Sequence, residues 1–438
     1  MASRSVTYQR GVGGNVSSST IDGILKEDYV INNIKDTVNM QTYFMSRLKQ
    51  RKTTAGRRFV FSVRMATGEG QGFRAEDQDL PDAGYGDYQQ ASGNCTHQYG
   101  RFRITGQAMH ATNRAAFTEA LGTAIKNTRD GYKLTSYRAL WGHQDGVIAE
   151  VDGAVTIDAA GDTDDVSVTN PYGLSYDGTV DTVTMHPYFR VGMNLVFGTF
   201  SGGAFTYRNH GTITGILDDG DLQIEFEAAT NLVAGDKIIR GDSSTLHDGN
   251  KSYMGILEVL QQSGTYLNID RTSNPTWRPN RLDANANALS EDLIQQGFDM
   301  ADIMGDGMMD PDLLMSNHKT LRIYQALRYS QKRIPNSITL MGGRKAITFN
   351  GQPWTHDKLC PPEQLLYLNM MDWCWFYNAD IQWIDDDGAI LDREENKHAF
   401  KASLYSFRQP ACTKPANPRT KHTQHLSLIH ISEPTRPY

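Results

Sequence analysis

The densest run of carboxylates in the 438-residue chain is Asp385-Asp386-Asp387-Gly388, and a cation is the first ligand such a run suggests. A calcium loop sets its oxygen ligands at alternate positions and closes with a glutamate, and neither feature is here. With Ile381 to Ile384 before it and Ala389-Ile390-Leu391 after it, the run reads as a hairpin turn. Gly305-Asp306-Gly307 and Asp310 fail the same test and fit a helix-to-strand loop. Gly11-Val12-Gly13-Gly14 has no strand before it, as a dinucleotide fingerprint requires, and no glycine-rich loop ends in Gly-Lys-Ser/Thr. The 12 histidines contain no His-Glu-x-x-His pair, and there is no Gly-x-Ser-x-Gly elbow. Cys95, Cys360, Cys374 and Cys412 are too scattered for a zinc ribbon or a disulfide framework and read as free thiols. Tyr172, Tyr176, Tyr188 and Tyr207 could stack on a sugar, but tyrosines in β-rich segments more often pack. The expectation is a chain with no catalytic residue, no cofactor and no metal.

The residues that ask for a partner lie elsewhere, between Arg57 and Trp141. Phe59, Phe61, Val63 and Met65 alternate with Arg58, Val60, Ser62 and Arg64, the period of a half-buried strand. The stretch from Tyr99 to Met109 reads as its partner. Between them, Ala66 to Gln98 form an excursion rich in glycine (Gly68, Gly70, Gly72, Gly84, Gly86, Gly93) and in acids (Glu69, Glu76, Asp77, Asp79, Asp82, Asp87). Structureless loops beyond roughly 12 to 15 residues are uncommon in compact domains. Doubled back on itself, this one would reach about 50 Å at roughly 3.3 Å per residue, whereas a domain of about 150 residues has a radius of gyration near 15 Å. Phe73, Leu80, Tyr85 and Tyr88 would then project on an arm, and a second subunit is the surface that would cover them.

After the second strand the spacing predicts a helix from Thr112 or Asn113, both good N-caps, to Gly142. Phe117, Leu121, Ile125 and Tyr132 form its core face, while Arg114, Glu119, Lys126, Arg129 and Lys133 form the polar face. At about 43 Å it would serve as a spine. Ahead of the arm, Ile21, Ile24, Leu25, Tyr29, Val30, Ile31 and Ile34 have helical spacing too short for a core of their own.

An N-terminal arm, a long two-stranded loop starting in Arg57-Arg58-Phe59-Val60-Phe61, and a helix from Ala115-Ala116-Phe117 to Ala139-Leu140-Trp141 together resemble the major capsid proteins of tailed bacteriophages with the HK97-type fold. Gly264 to Pro275, with Asn268-Ile269-Asp270-Arg271-Thr272 and then Trp277, looks like the opening of that family's A-domain. A helix from Ser290 to Met304, a strand in Pro311 to Ser316 and a helix from Lys319 to Lys332 follow in the same order. The resemblance implies an α+β fold, HK97-like, with an arm over 1–56, an extended E-loop hairpin over 57–109, a spine helix of the P-domain over 110–145, an A-domain-like part over 251–394 and a closing P-domain strand over 395–425.

Residues 146–250 read as a β-rich insertion. Asp145 to Asp181 is polar and turn-rich, and Phe189 to Phe197, Gly211 to Leu217, Leu222 to Phe226 and Asp236 to Arg240 read as short strands. Asp218-Asp219-Gly220-Asp221 joins the middle two as a hairpin. Leu365 to Leu368, Trp373 to Tyr377 and Ile381 to Ile384 read as buried strands, the latter two separated by Asn378 to Asp380, and Lys397 to Arg408 as a late alternating strand returning near the spine. Leu426 to Arg436 look like one reading frame through a transposon-based sequencing adapter, so residues 426–438 are expected to lie outside the fold.

The formal charge of -7 argues against a chain that coats itself in nucleic acid. No apolar run approaches the roughly 18 residues that span a bilayer, and Met1-Ala2-Ser3-Arg4-Ser5 holds no signal core. The resemblance implies a shell subunit of hexamers and pentamers, with scaffold, portal and decoration proteins as further partners. It implies DNA enclosed without sequence-specific binding, assembly in the host cytoplasm and residence in the virion. An encapsulin-like compartment protein is the alternative of the same class. A β-rich carbohydrate-binding or hydrolytic protein is the alternative of another, and it would need paired carboxylates in a cleft.

Overall fold

The computed structural model describes residues 43–415 and 427–430, apart from 54–55, 57, 67, 107–113, 170–187, 218–219, 285–287, 305–310, 331–336, 340–344, 362–363 and 386–389. The described residues fall into two compact units of mixed α and β content, one holding 97–134 and 379–407 and the other the rest. The apolar segment from Ile21 to Ile34, the Gly11 to Gly14 run, the Gly305 to Asp310 loop and Asp386 to Gly388 lie outside the described residues.

In the larger unit a short helix, α1 (Tyr43–Arg47), leads into β1 (Lys49–Lys52), which runs parallel to residues 374–377. β2 (Arg58–Ala66) buries Phe59, Val63 and Met65, half-buries Phe61 and exposes Arg58, Val60 and Ser62, the alternation expected of it. Its partner is not the stretch from Tyr99 to Met109. β2 pairs antiparallel with β3 (Asp87–Asn94), Phe59 opposite Gly93 and Arg64 opposite Tyr88. The chain leaves the ladder at Cys95, and β4 (Thr96–Thr105) pairs with a late strand instead.

The long helix α2 (Arg114–Trp141) matches its expected span, and 28 residues make it about 42 Å long. Leu121, Ile125 and Tyr132 are buried on it, while the side chain of Phe117 and the cap residues Thr112 and Asn113 lie outside the described residues. Lys133 corrects the predicted polar face. It is 3% exposed, its Nζ 3.4 Å from Asp130 Oδ1, and burial lowers its pKa. The apolar stripe widens there, because Tyr132, Ser136, Tyr137, Leu140 and Trp141 are all buried over the last three turns.

A seven-stranded sheet follows in the larger unit: β5 (Val147–Val151), β6 (Thr163–Val166), β7 (Val168–Thr169), β8 (Asn194–Ser201), β9 (Ala204–Ile216), β10 (Leu222–Phe226) and β11 (Lys237–Arg240), in the order β6-β10-β9-β8-β11-β5-β7. Three of these strands lie in the stretch that reads as polar turn, because Val147, Ile148, Ala149, Val151, Val166 and Val168 supply its buried positions between acids. The expected hairpin is present. β9 and β10 pair antiparallel, and Gly220 N donates to Leu217 O at 3.0 Å.

Beyond α3 (Ile256–Val259) come a tight hairpin of β12 (Thr265–Tyr266) and β13 (Ile269–Asp270), then β14 (Asn280–Asp283), α4 (Glu291–Met304), β15 (Leu313–Ser316), α5 (His318–Ser330), β16 (Ser337–Thr339), β17 (Lys345–Phe349), β18 (Gln352–His356) and β19 (Gln364–Leu368). The Ser290 hydroxyl accepts from Leu293 N at 3.1 Å and starts α4, and Asn317 Oδ1 accepts from Lys319 N at 3.2 Å and starts α5. Ile294, Phe298 and Tyr324 pack with Leu314, Trp354, Leu365 and Tyr367 into one core cluster.

The runs predicted as two strands at Trp373 and Ile381 are one, β20 (Trp373–Trp383), carried through Asn378 to Asp380. β21 (Asp392–Arg393) and β4 pair with β22 (Ala399–Cys412), and β20 neighbours it too. In the smaller unit Tyr132 bonds Ser406, which brings this late strand back to the long helix as expected. One correction concerns the terminus. Ser427–His430 form β23, parallel to β14 and antiparallel to β19, because any extended backbone can complete a ladder.

Candidate intersubunit finger

Residues 68–86 leave the β2–β3 hairpin and fold on themselves as a finger. A Cβ on Gly68 would fall 2.6 Å from Gly84 O, and one on Gly84 would fall 2.4 Å from Glu69 N, so the two sides approach more closely than any other residue permits. At the tip, Gln78 N donates to Ala75 O at 3.3 Å, Arg74 Nε donates to Asp79 O at 3.0 Å, and Asp77 takes a left-handed φ of 68°. About ten residues per side put the tip roughly 30 Å beyond the hairpin.

Phe73, Leu80, Tyr85 and Tyr88 are 105%, 85%, 92% and 64% exposed. Phe73, Leu80 and Tyr85 therefore stand on the projection itself and Tyr88 at its base on β3, all four exposed among the described residues. Phenylalanine and tyrosine bury about 150 to 250 Å² each when covered, so Phe73, Tyr85 and Tyr88 alone offer on the order of 600 Å². That is near the roughly 800 Å² one partner contributes to an ordinary specific interface.

A projection this long transmits a contact only if its base is fixed, and the base is buried and bonded. Phe59 stacks on Phe376 with ring centroids 4.2 Å apart, and Phe61 lies 6.1 Å from the same ring. Ser92 N donates to Leu267 O at 2.9 Å, and Gln89 Nε2 donates to Asn274 Oδ1 at 2.8 Å. Leu267 and Asn268 form the two-residue turn of the β12–β13 hairpin, with φ of 49° and 66°, the geometry a type I′ turn needs. Beneath it Arg271 is fully buried. It donates to Glu258 O at 2.7 Å and Ser263 O at 3.2 Å, and its guanidinium lies 5.0 Å from the Tyr266 ring. Trp277 Nε1 donates to Tyr266 O at 3.1 Å, and Tyr266 OH exchanges hydrogen bonds with the Cys412 backbone.

The stretch around Arg271, marked in the sequence only by a resemblance, holds the finger's base through Leu267 and Asn274. No turn signal marks it, because Leu267-Asn268 is not among the pairs that favour a two-residue hairpin.

On the long helix, Leu121, Ile125 and Tyr132 serve packing: Gln98 Nε2 donates to Tyr132 O at 3.1 Å. Several titratable groups elsewhere are buried within the fold. Burial pushes the Cys95 thiol up to about 11 and that of Cys374 up to about 12, and all four cysteines are free and buried. Asp357, fully enclosed and bonded by Tyr137, has its carboxyl raised by burial. His143 takes Gln261 Nε2 at 2.9 Å, with Glu258 at 3.4 Å. Tyr188 is buried and Tyr207 bonds His210 Nδ1 at 2.7 Å, both packing roles, while Tyr172 and Tyr176 lie outside the described residues. Among the described residues no group of three or more His, Cys, Asp or Glu could hold a metal, and no helix is long and apolar enough to cross a membrane.

No family model matches the chain, and no curated protein does. Among solved structures it is similar to the capsid asymmetric unit of cyanophage A-1(L), at 12% identity over 99% of this chain and 97% of that one, with a TM-score of 0.48. It is similar to the capsid of a native GTA particle, at 9% identity over 90% of each chain, TM-score 0.42. Likeness to the holo-SrpI encapsulin complex from Synechococcus elongatus PCC 7942 is 13% identity over 36% of this chain and 56% of that one, TM-score 0.26.

Proposed function

We propose that the chain is a structural subunit that self-assembles into the icosahedral capsid of a tailed bacteriophage, acting by assembly and not by catalysis. The observation that carries this is the finger: Phe73, Leu80 and Tyr85 exposed on a glycine-closed projection, Tyr88 exposed at its base, and that base bonded to Leu267 and Asn274. A substrate lid would close over polar or titratable groups of its own unit, whereas this projection carries its apolar payload away from them. Copies of the same chain are the partner, because identical subunits in rings give each finger an identical surface to cover. In this reading the subunits form pentamers and hexamers in the host cytoplasm. The shell encloses DNA and meets scaffold, portal and decoration proteins, and the β5–β11 sheet is an insertion in an HK97-like fold.

Electron microscopy of the purified full chain, with and without a coexpressed scaffold, tests this. Rings or closed shells are expected. A clean monomer at high concentration under both conditions would overturn the proposal.

A further inference from the structure

The 32 residues from Thr37 to Gly68 hold no acidic residue and seven basic ones: Arg47, Lys49, Arg51, Lys52, Arg57, Arg58 and Arg64. In a chain with 50 acids among 438 residues, that span would ordinarily carry three or four. The reversal of sign is local and the fold displays it. All four residues of β1, Lys49-Gln50-Arg51-Lys52, are exposed, so Lys49 and Arg51 leave one side of the strand and Lys52 the other.

β1 is an edge strand. It pairs with β20, and among the described residues no other strand pairs with its outer side. Countercharge is sparse. Arg47 lies 3.7 Å from Asp312, but among the described residues no salt bridge joins Lys49, Arg51 or Lys52 to a carboxylate. Asp312 also acts on Lys49, and Asp372, which acts on Lys49 and Arg51, is half-buried and shared with Lys414.

Lysines on an edge strand also discourage pairing with other sheets. One or two suffice for that, and here every side chain of the strand is polar and three are cationic. Lys49 and Arg51 stand about 6.6 Å apart along the strand, against about 3.4 Å per phosphate along one strand of a duplex. That separation is about two phosphate steps of axis, so the two cations can each meet a phosphate of the same strand.

We propose that β1 is a phosphate-backbone contact, with Lys49, Arg51 and Lys52 holding duplex DNA without regard to sequence. This rests on the reading of the chain as a DNA-enclosing shell. It gives that shell a localised contact for DNA in an otherwise acidic protein.

The test titrates the full chain into a fluorescent random-sequence duplex from about 50 to about 200 mM salt, beside the triple variant K49Q/R51Q/K52Q, with polyglutamate as competitor. Binding that weakens steeply with salt is expected. The triple variant should lose about tenfold or more in affinity at the lowest salt, and its log-log salt slope should fall by about 2 to 3, at roughly 0.9 per phosphate released. Absence of binding by the parent, or an unchanged slope in the variant, would overturn the proposal. Displacement by polyglutamate as effective as by unlabelled DNA would assign β1 to an acidic protein partner and overturn it equally. Electron microscopy of both proteins keeps the two readings apart: shells that form without binding DNA sink only the contact, and DNA binding without shells sinks only the capsid.

Discussion

Excising the finger separates an intersubunit projection from an idle loop. Replacing Thr67 to Gly86 by Asn-Gly joins Ala66 to Asp87, which are already opposite each other, through the turn that two-residue hairpins favour. The β2–β3 ladder should survive. Its register is set by Phe59 opposite Gly93 and by the Ser92 bond to Leu267, none of which the excision touches. Covering a large apolar side chain contributes about 1.5 to 3 kcal/mol. Phe73, Leu80 and Tyr85 leave with the finger while Tyr88 stays on β3, so the gross loss is about 4.5 to 9 kcal/mol per contact. Ordering and association costs consume most of such a sum. Even the remaining quarter, about 1 to 2 kcal/mol, is about a tenfold change in each pairwise association constant. Circular dichroism melts should match the parent, and sedimentation velocity should show assembly stopping at small oligomers. If the shortened protein assembles over the same concentration range as the parent, the finger is a surface loop and not an intersubunit contact.

Gly84→Val puts side-chain atoms where Glu69 N already lies, so the finger must open; assembly should weaken while the melt moves by no more than an exposed substitution does, about 0.5 kcal/mol. Arg271→Met leaves the carbonyls of Glu258 and Ser263 without their donor and should cost about 2 to 4 kcal/mol in urea denaturation, with faster amide exchange at Ser92. Asp372 has its carboxyl pushed up to about 6 by burial, so the folded chain holds that proton more tightly than the unfolded chain. Its contribution favours folding below about pH 4 and is lost as pH rises toward 6 and beyond. Asp372→Asn should therefore gain on the parent between pH 4 and pH 7, by about 1 to 2 kcal/mol after allowance for partial exposure; a constant difference across that range would refute the assignment.

What was legible in the sequence is what periodicity writes. β2 shows its alternation, α2 its stripe, and β9–β10 their turn. β3 was not legible because Asp87-Tyr88-Gln89-Gln90-Ala91-Ser92-Gly93-Asn94 has neither alternation nor β-branched residues; it is held as a strand by Leu267 and Asn274, which lie about 180 residues away in the chain. β17 and β18 carried a signal that went unread, Asn350-Gly351 with φ of 48° and 79° between two short strands. Lys133 was misplaced because a charge count assigns lysine to water, while its ammonium needs only Asp130 and its stem lies in the widened apolar face. The site was half legible. Phe73, Leu80, Tyr85 and Tyr88 announce themselves by being apolar in a polar stretch, but the hub beneath them is made of backbone carbonyls that no side-chain pattern records.

The terminal strand sets a sequence expectation against a structural one, and magnitudes indicate how both can hold. Ser427 to His430 pair with β14 on one side and β19 on the other, yet the residues around them read as an adapter with no place in a fold. Four residues inserted between two strands gain on the order of eight ladder bonds at about 0.5 to 1.5 kcal/mol each. Ordering the same four backbones costs about 1 to 2 kcal/mol apiece, and closing the loop from Cys412 adds a few more. The backbone terms cancel to within a few kcal/mol, so a foreign segment can occupy the slot and contribute little. Deleting Leu426 to Tyr438 should therefore leave assembly unchanged and move the melting midpoint by no more than about 2 °C, while amide exchange in β14 and β19 accelerates. A midpoint lowered by more than about 5 °C would mean that Leu428 and Ile429 add burial beyond their ladder bonds. Residues 427–430 would then belong to the fold whatever their origin.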